Sequence, residues 1–402
     1  MNIVYLHQYF VTPAEAGGNR SYYLASQLAS EGNEVVVITS NRKFADWPFI
    51  KTVEENGFKV VYIKNHFESK MGKFKRTIAY ARFMLLATIV GLKQKRTDLV
   101  YASSTPLSIG VPALALKLRF GSTFVFELRD LWPDVPYELG YIRSNMIYRM
   151  TKIFERYLYR KSDSIITVSE GIKNRVPDIY RGKAHSFPFG SELNSFSTEI
   201  DKRWRKEKSI DDKYTLVVYT GAIGWANGFD LLLDAAGNLL SRNESVHLAL
   251  IGEGSALEHV NQRIVKEKLS NISIHPPVSA SELSSVYASA DAGLILFGSD
   301  SDTYYNTASP NKFFDYIASG LPLIYHFGGP LSDEIERLGL GAKVERGSRE
   351  SMVQCLLDIH NGNGQEMRDR QSIRRVAEKH WNKKQILTDL ALRLTQVHLE
   401  KH

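Results

Sequence analysis

LVVYTGAIGWANGFDLLLDAAGNLL, residues 216–240, passes from an apolar run through a glycine-containing loop into a helical pattern. Leu216–Thr220 is apolar almost throughout, as suits a strand covered by helices on both faces. Gly221, Gly224 and Gly228 punctuate the turn, and LLLDAAGNLL resumes with helix spacing. The same order recurs on both sides. Candidate strands in the first half are Asn2–Leu6, Glu34–Thr39, Phe58–Ile63, Leu99–Ala102, Thr123–Glu127 and Ser164–Ser169; beyond the quoted stretch come Val246–Ile251, Ile272–His275, Gly293–Phe297 and Pro322–Tyr325. Strand and helix alternating twice over predicts an α/β protein of two doubly wound parallel sheets, with ligands outside the C-terminal strand ends. Two such domains facing each other would enclose a cleft. The polar, charged stretch Ser191–Lys213, with DKRWRKEK inside it, reads as the connection between them.

Composition narrows the class. The chain has 402 residues, 43% hydrophobic and 24% charged, which excludes a largely disordered protein. Cys355 is the one cysteine, so an intramolecular disulfide is excluded and a reducing compartment is allowed. MNIVYLHQYF has neither a basic start nor a long apolar stretch, and the expectation is a cytoplasmic protein. The net charge of +7 divides into +10 through residue 195 and −3 beyond it. A basic half can meet nucleic acid, anionic lipid or phosphorylated ligands. No zinc-finger spacing or aromatic-plus-arginine pattern accompanies the charge, so nucleic acid is not expected as a partner. KMGKFKRTIAYARFMLLATIVGLKQKR, residues 70–96, has eight basic residues and no acidic one around an apolar centre too short to span a bilayer. It reads either as an interfacial helix on an anionic membrane or as a core helix with charged ends.

Four stretches place polar residues where a ligand would sit. Gly17 and Gly18, followed by Asn19 and Arg20, precede a helix whose free N–H groups suit a phosphate; a plain strand-to-helix turn is the alternative. Arg129 and Asp130 follow the Thr123–Glu127 strand, and either act on ligand or cap the turn as a pair. The loop from Gly221 to Asn227 is a second glycine-containing helix start, and Leu250–Gly254 a third. In SPNKFFDYIASGLP, residues 309–322, Lys312 and Asp315 share one helix face. They suit a diphosphate and ribose hydroxyls, or form a surface ion pair.

Together and in this order, AGGNR, ELRDLWPD, ITVSEGIKNRV with SFPFGSE, YTGAIGWANGFDLLLDAA, LIGEG and SPNKFFDYIASGLPLI resemble the family-four glycosyltransferases of the GT-B fold. Within that family the chain is similar to bacterial surface-polysaccharide transferases, including the type that adds N-acetyl-L-fucosamine during O-antigen assembly. The resemblance implies two Rossmann-like domains: an acceptor-side domain over 1–195, a linker over 196–213 and a nucleotide-sugar-binding domain over 214–375. A helical segment, 376–402, would then be able to pack back on the first domain. It implies retaining transfer from a nucleotide diphosphate sugar, UDP-linked in our reading, with no bound metal or other cofactor. The implied acceptor is a polyprenyl-diphosphate-linked glycan, presented at the inner face of the cytoplasmic membrane. The donor-binding residues implied are Gly17, Gly18, Arg20, Glu170, Gly221, Asn227, Asn311, Lys312 and Asp315, and the catalytic ones Asp130, Arg129 and Lys312.

The chain departs from the family pattern at three places. Arg129 stands where the family commonly has His, and Thr307 takes the first position of its paired glutamates, with Asp315 at the second. Ile223-Gly224 and Asn227 occupy the loop where the family often carries Arg and Lys, leaving Lys312 as the main cation on that side. Two other readings stay open: a nucleotide-sugar-binding scaffold without catalysis, and a nucleotide-sugar epimerase of the same fold. An exported two-domain sugar receptor would need a signal that MNIVYLHQYF does not supply.

Overall fold

The computed structural model describes residues 1–13, 15, 17–41, 47–65, 73–298, 300–362 and 369–402. They divide into two units, Met1–Pro188 with Gln385–His402, and Phe189–Lys384. In the first unit the strands are β1 (Asn2–Leu6), β2 (Glu34–Asn41), β3 (Ile50–Glu55), β4 (Phe58–Lys64), β5 (Leu99–Ser103), β6 (Thr123–Leu128), β7 (Ser164–Thr167) and β8 (Ala184–Ser186). Their order is β3-β4-β2-β1-β5-β6-β7-β8, all pairs parallel except β3 against β4. The direction of winding reverses between β1 and β5, so the loops after these two strands open the crevice where ligands bind in such sheets.

Helices cover both faces of this sheet: α1 (Arg20–Ser30), α2 (Lys73–Leu92), α3 (Gly110–Phe120) and α4 (Asn145–Lys161). Leu24 and Leu28 of α1 share a core with Ile3, Tyr5 and Tyr101 and with Leu387, Leu390 and Leu394 of the C-terminal helix Lys383–Lys401. Tyr159 of α4 instead meets Phe126, which points to the other side of β6 from Val125. Gly110 of α3 leaves no room for a Cβ beside Leu158 of α4, so these two helices are closely packed. Within the helical segment 376–402, Leu387, Leu390 and Leu394 are buried and complete the first unit's core. The chain returns to that unit at Gln385, whereas the sequence reading drew the change at 376.

In the second unit β9 (Thr215–Thr220), β10 (Val246–Ile251), β11 (Ile272–His275), β12 (Ala292–Leu296), β13 (Leu323–His326) and β14 (Gly341–Lys343) lie in the order β11-β10-β9-β12-β13-β14. All are parallel, and winding reverses between β9 and β12. Helix α5 (Phe229–Ser241) follows β9, and α6 (Asn311–Ala318) precedes β13.

Three strands escaped the sequence reading. β3, IKTVEE, is an antiparallel edge with no fully buried side chain, and β8 and β14 are only three residues long. The linker placed at 196–213 is corrected too, because it lies inside the second unit. Within its charge run Trp204 is buried, and Arg205 donates to the Ser289 and Tyr214 carbonyls and pairs with Asp291 at 2.8 Å. Of the basic segment 70–96, Lys70–Gly72 lie outside the described residues. In α2, Ala79, Phe83 and Ala87 are buried while Ile78, Leu85 and Ile89 are exposed, so one face serves the core and the other faces solvent. No described helix is long and apolar enough to cross a membrane.

Candidate functional site

At the switch point of the second unit, β9 ends in Tyr219-Thr220 and turns at Gly221, whose φ of +122° few side chains adopt. A Cβ there would also lie 3.5 Å from the ammonium of Lys312, on the first turn of α6. That ammonium sits over the Tyr219 ring, 3.4 Å from its centroid. This is a close cation–π contact, with the negative face of the ring turned to the charge. Among the described residues no carboxylate pairs with Lys312, and Asp315, three residues on, does not. The surface-pair alternative for these two residues is therefore excluded. Burial pushes the Lys312 ammonium well below the usual lysine range.

Asp315 sits in the same helix with its carboxylate in a poorly solvated place. Burial lifts it to about 6, against the pull of Lys383 and with a further push from Glu192. Lys383 and Glu192 themselves pair at 3.6 Å. Asn311 is exposed at the start of α6, beyond Pro310. The site thus holds one unpaired cation and one uncomfortable carboxylate on a single helix, beside a glycine turn.

The rest of the β9–α5 loop is tied to protein. The Asn227 carboxamide accepts from the Gly224 N–H at 3.2 Å and donates to the Leu296 carbonyl at 3.2 Å. These two bonds fix the loop to β12. Gly252 has no space for a side chain against the Gly221 carbonyl, and Ile223 exchanges backbone bonds with Glu253 and Ala256. The Leu250–Gly254 glycines thus serve to let two loops pack.

In the first unit two of the predicted residues, Arg20 and Arg129, lie near a buried carboxylate, Glu127. Arg20 is turned inward, its Nε 2.9 Å from Glu127 Oε1 and its Nη1 2.6 Å from the Pro188 carbonyl. The expectation that Arg20 faces the donor is corrected: this guanidinium neutralises Glu127. Burial alone would push Glu127 up, but Arg20, Arg129 and the Ser103 hydroxyl at 2.6 Å hold it below the usual carboxylate range. Arg129 donates to His7 Nε2 at 3.0 Å, which leaves the ring proton on Nδ1, 2.7 Å from Ser21 Oγ. Asp130 is exposed and accepts from Thr105 Oγ1 at 2.9 Å. Gly17 and Gly18 lead into α1, whose N-cap, Asn19, makes no side-chain cap bond. Glu170 stands half-exposed and pairs with Lys173 at 3.2 Å.

His7, Tyr219 and the Glu192–Lys383 pair were not singled out from the sequence. A histidine one residue beyond a predicted strand, at the mouth of the glycine loop, is the signal that marks the first. An aromatic inside an apolar strand gives no signal of its own.

Comparison with known proteins agrees with this geometry. Residues 17–190 match the family Glycosyltransferase Family 4, and residues 200–377 match Glycosyl transferases group 1. The chain is similar to the Escherichia coli K12 protein WcaI, assigned to colanic acid biosynthesis as a glycosyl transferase, with 22% identity over 67% of this chain and 70% of that one. Among solved structures it resembles sucrose-phosphate synthase from Thermosynechococcus elongatus, with a TM-score of 0.78, 15% identity and full coverage of both chains. It also resembles Anabaena HepE in complex with UDP and glucose, with a TM-score of 0.69, 15% identity, and 98% and 100% of the two chains covered. Two Rossmann-like units, a glycine turn and a lysine at the second switch point, and both family matches converge: the chain belongs to the family-four glycosyltransferases of the GT-B fold.

Proposed function

We propose that the protein transfers a sugar, with retention of anomeric configuration, from a UDP-sugar to a lipid-linked oligosaccharide during surface-polysaccharide assembly. The observation that carries this reading is Lys312: a half-buried ammonium beside a glycine turn, with no carboxylate to neutralise it. A diphosphate placed there would supply the missing negative charge and favour the ammonium form against its burial. Polysaccharide biosynthesis in the name of WcaI, and UDP and glucose bound to HepE, support the classes of acceptor and donor. UDP-N-acetyl-L-fucosamine and O-antigen are the donor and product that the sequence resemblance favours.

In this mechanism the acceptor hydroxyl attacks the face that the nucleotide leaves, and a departing phosphate oxygen takes its proton. The protein positions the partners and stabilises charge growing on the diphosphate. Lys312 and the Gly221 turn hold the diphosphate and Asp315 the ribose. On the first unit, Gly17 and Gly18 border the donor, and Arg129 and Asp130 serve the sugar or acceptor. Lys312 supplies the charge that a metal ion would otherwise bring, so transfer should persist in chelator.

The test is a mass-spectrometric screen of UDP-sugars against polyprenyl-diphosphate-linked oligosaccharides, with and without chelator, and NMR of the product's anomeric centre. A retained glycoside is the expected product. Nucleotide binding without turnover would favour the scaffold reading, and an altered free sugar the epimerase.

A further inference from the structure

We infer that His7 is a positioning residue for transfer: its neutral imidazole holds the Arg129 guanidinium in place without cancelling the charge. The inference rests on the role proposed above for Arg129 at the sugar or acceptor. Three elements meet at this histidine. His7 directly follows β1, Ser21 is the second residue of α1, and Arg129 directly follows β6. Winding reverses between β1 and β5, and β6 lies next to β5, so the group stands at the crevice of the first sheet.

The bonds around the ring fix its chemical state. A guanidinium carries only N–H donors, so the 3.0 Å contact from Arg129 Nη1 requires a lone pair on His7 Nε2. The single ring proton is then on Nδ1 and goes to Ser21 Oγ at 2.7 Å. Both His7 and Ser21 are buried, which shields these bonds from bulk water. The main chain is tied as well: the His7 N–H donates to the Ile38 carbonyl at 3.2 Å, and the Arg129 N–H to Ser104 Oγ at 3.2 Å. The choice of partner decides what the arginine can do. Arg20 is bonded to a carboxylate at 2.9 Å, and the two charges cancel. Arg129 is bonded to a neutral ring, which orients the guanidinium and leaves its charge for a ligand. Glu127 feels Arg129 too, but its two oxygens bond Arg20 and Ser103, and the neighbouring Asp130 accepts from Thr105.

The experiment is a double-mutant cycle in the full chain, read as kcat at saturating UDP-sugar and acceptor, with the melting temperature of each variant. The variants are His7→Leu, His7→Gln, Arg129→Met and His7→Leu/Arg129→Met. His7→Leu should lower kcat roughly 10- to 100-fold, the scale of a misplaced group. His7→Gln, whose carboxamide oxygen can accept from Arg129, should stay within about fivefold of the wild type. In the Arg129→Met background, His7→Leu should change kcat by about twofold at most, because the group it positions is gone. UDP affinity, measured by calorimetry, should move by about twofold at most in His7→Leu, since the diphosphate is assigned to Lys312. In the wild type alone, 15N NMR should show the His7 ring neutral with its proton on Nδ1, the signal being assigned by its loss in His7→Gln. Losses that multiply in the double variant would overturn the inference, because His7 would then only tie β1 to β6. So would equal losses in the Leu and Gln variants, or a ring protonated on Nε2. A wild type that binds UDP and transfers no sugar would remove the proposed function and this inference with it; multiplying losses in an active enzyme would remove the inference alone.

Discussion

The candidate sites of the two units handle buried charge in opposite ways. In the first, every charge deep in the site has a partner: Arg20 pairs with Glu127, and Arg129 leans on His7. In the second, Lys312 meets only the face of an aromatic ring, and Asp315 is left where burial raises it to about 6. A paired interior ion serves the fold, since breaking the pair leaves a charge stranded. An unpaired one weakens the fold and is retained where a ligand completes it. The proposed function follows this contrast: it gives the diphosphate to Lys312 on the second unit, while Arg20 and Glu127 on the first neutralise each other.

The largest effect expected from breaking this contrast is at Arg20. Arg20→Met leaves Glu127 buried and unpaired, and should cost about 3–5 kcal/mol of stability. Denaturant unfolding would show it, and the double variant with Glu127→Met should recover most of the loss. The linkage sign is fixed by Glu127 lying below the usual carboxylate range. Its stabilisation is present above the unfolded pKa and is lost as pH falls through the folded one, so the wild type should be acid-labile and the double variant less so.

Next comes Lys312→Met, which should lower kcat/KM by about 2–4 kcal/mol of transition-state stabilisation, roughly 30- to 1,000-fold. Steady-state kinetics at varied donor concentration measures this. Near-normal turnover would remove Lys312 from the donor site.

Asp315 sharpens the contrast through pH. Its ordinary value is 3.8 and its folded value about 6, so the folded chain holds the proton more tightly than the unfolded one. Stability should therefore decline as pH rises from about 4 to 6, and Asp315→Asn should be the more stable protein at pH 7. If the carboxylate holds ribose, nucleotide affinity should fall as pH drops below about 6 in the wild type and be low and flat in Asp315→Asn. Calorimetry across pH checks both curves.

The smallest effect is at Glu170, whose half-exposed pair with Lys173 is of a kind worth about 0.5 kcal/mol. Glu170→Gln should change stability by no more than that and the donor KM by about twofold at most. A tenfold rise in KM would move this residue into the donor site.

The architecture was legible because eleven of the fourteen strands among the described residues are runs of apolar residues long enough to read, and winding rules arrange them. The edge strand IKTVEE was not, since an exposed strand needs no apolar pattern. The connection was misplaced because a charge run hides Trp204 and Arg205, and a single buried side chain leaves no periodicity to detect. Lys312 was legible from a lysine and an aspartate at helix spacing, but its neighbour Tyr219 was not, because a strand aromatic reads as core. His7 was missed because Ser21 and Arg129, which define it, lie 14 and 122 residues away. The bonds by which Asn227 holds its own loop were not legible, because an asparagine in a glycine loop bonds backbone as readily as ligand.

Thermal unfolding of the wild type and Lys312→Met, each with and without UDP, tests most directly whether the unpaired lysine is kept for the nucleotide. Its ammonium is held well below the usual lysine range by burial, so replacing it with an apolar side chain of similar length should relieve that burial. The account predicts that Lys312→Met melts a few degrees higher than the wild type without ligand. Saturating UDP, at about 100 times its dissociation constant, should stabilise the wild type by about 2.7 kcal/mol and leave the variant almost unmoved at the same concentration. A variant that melts no higher than the wild type, and that UDP stabilises equally, would contradict it.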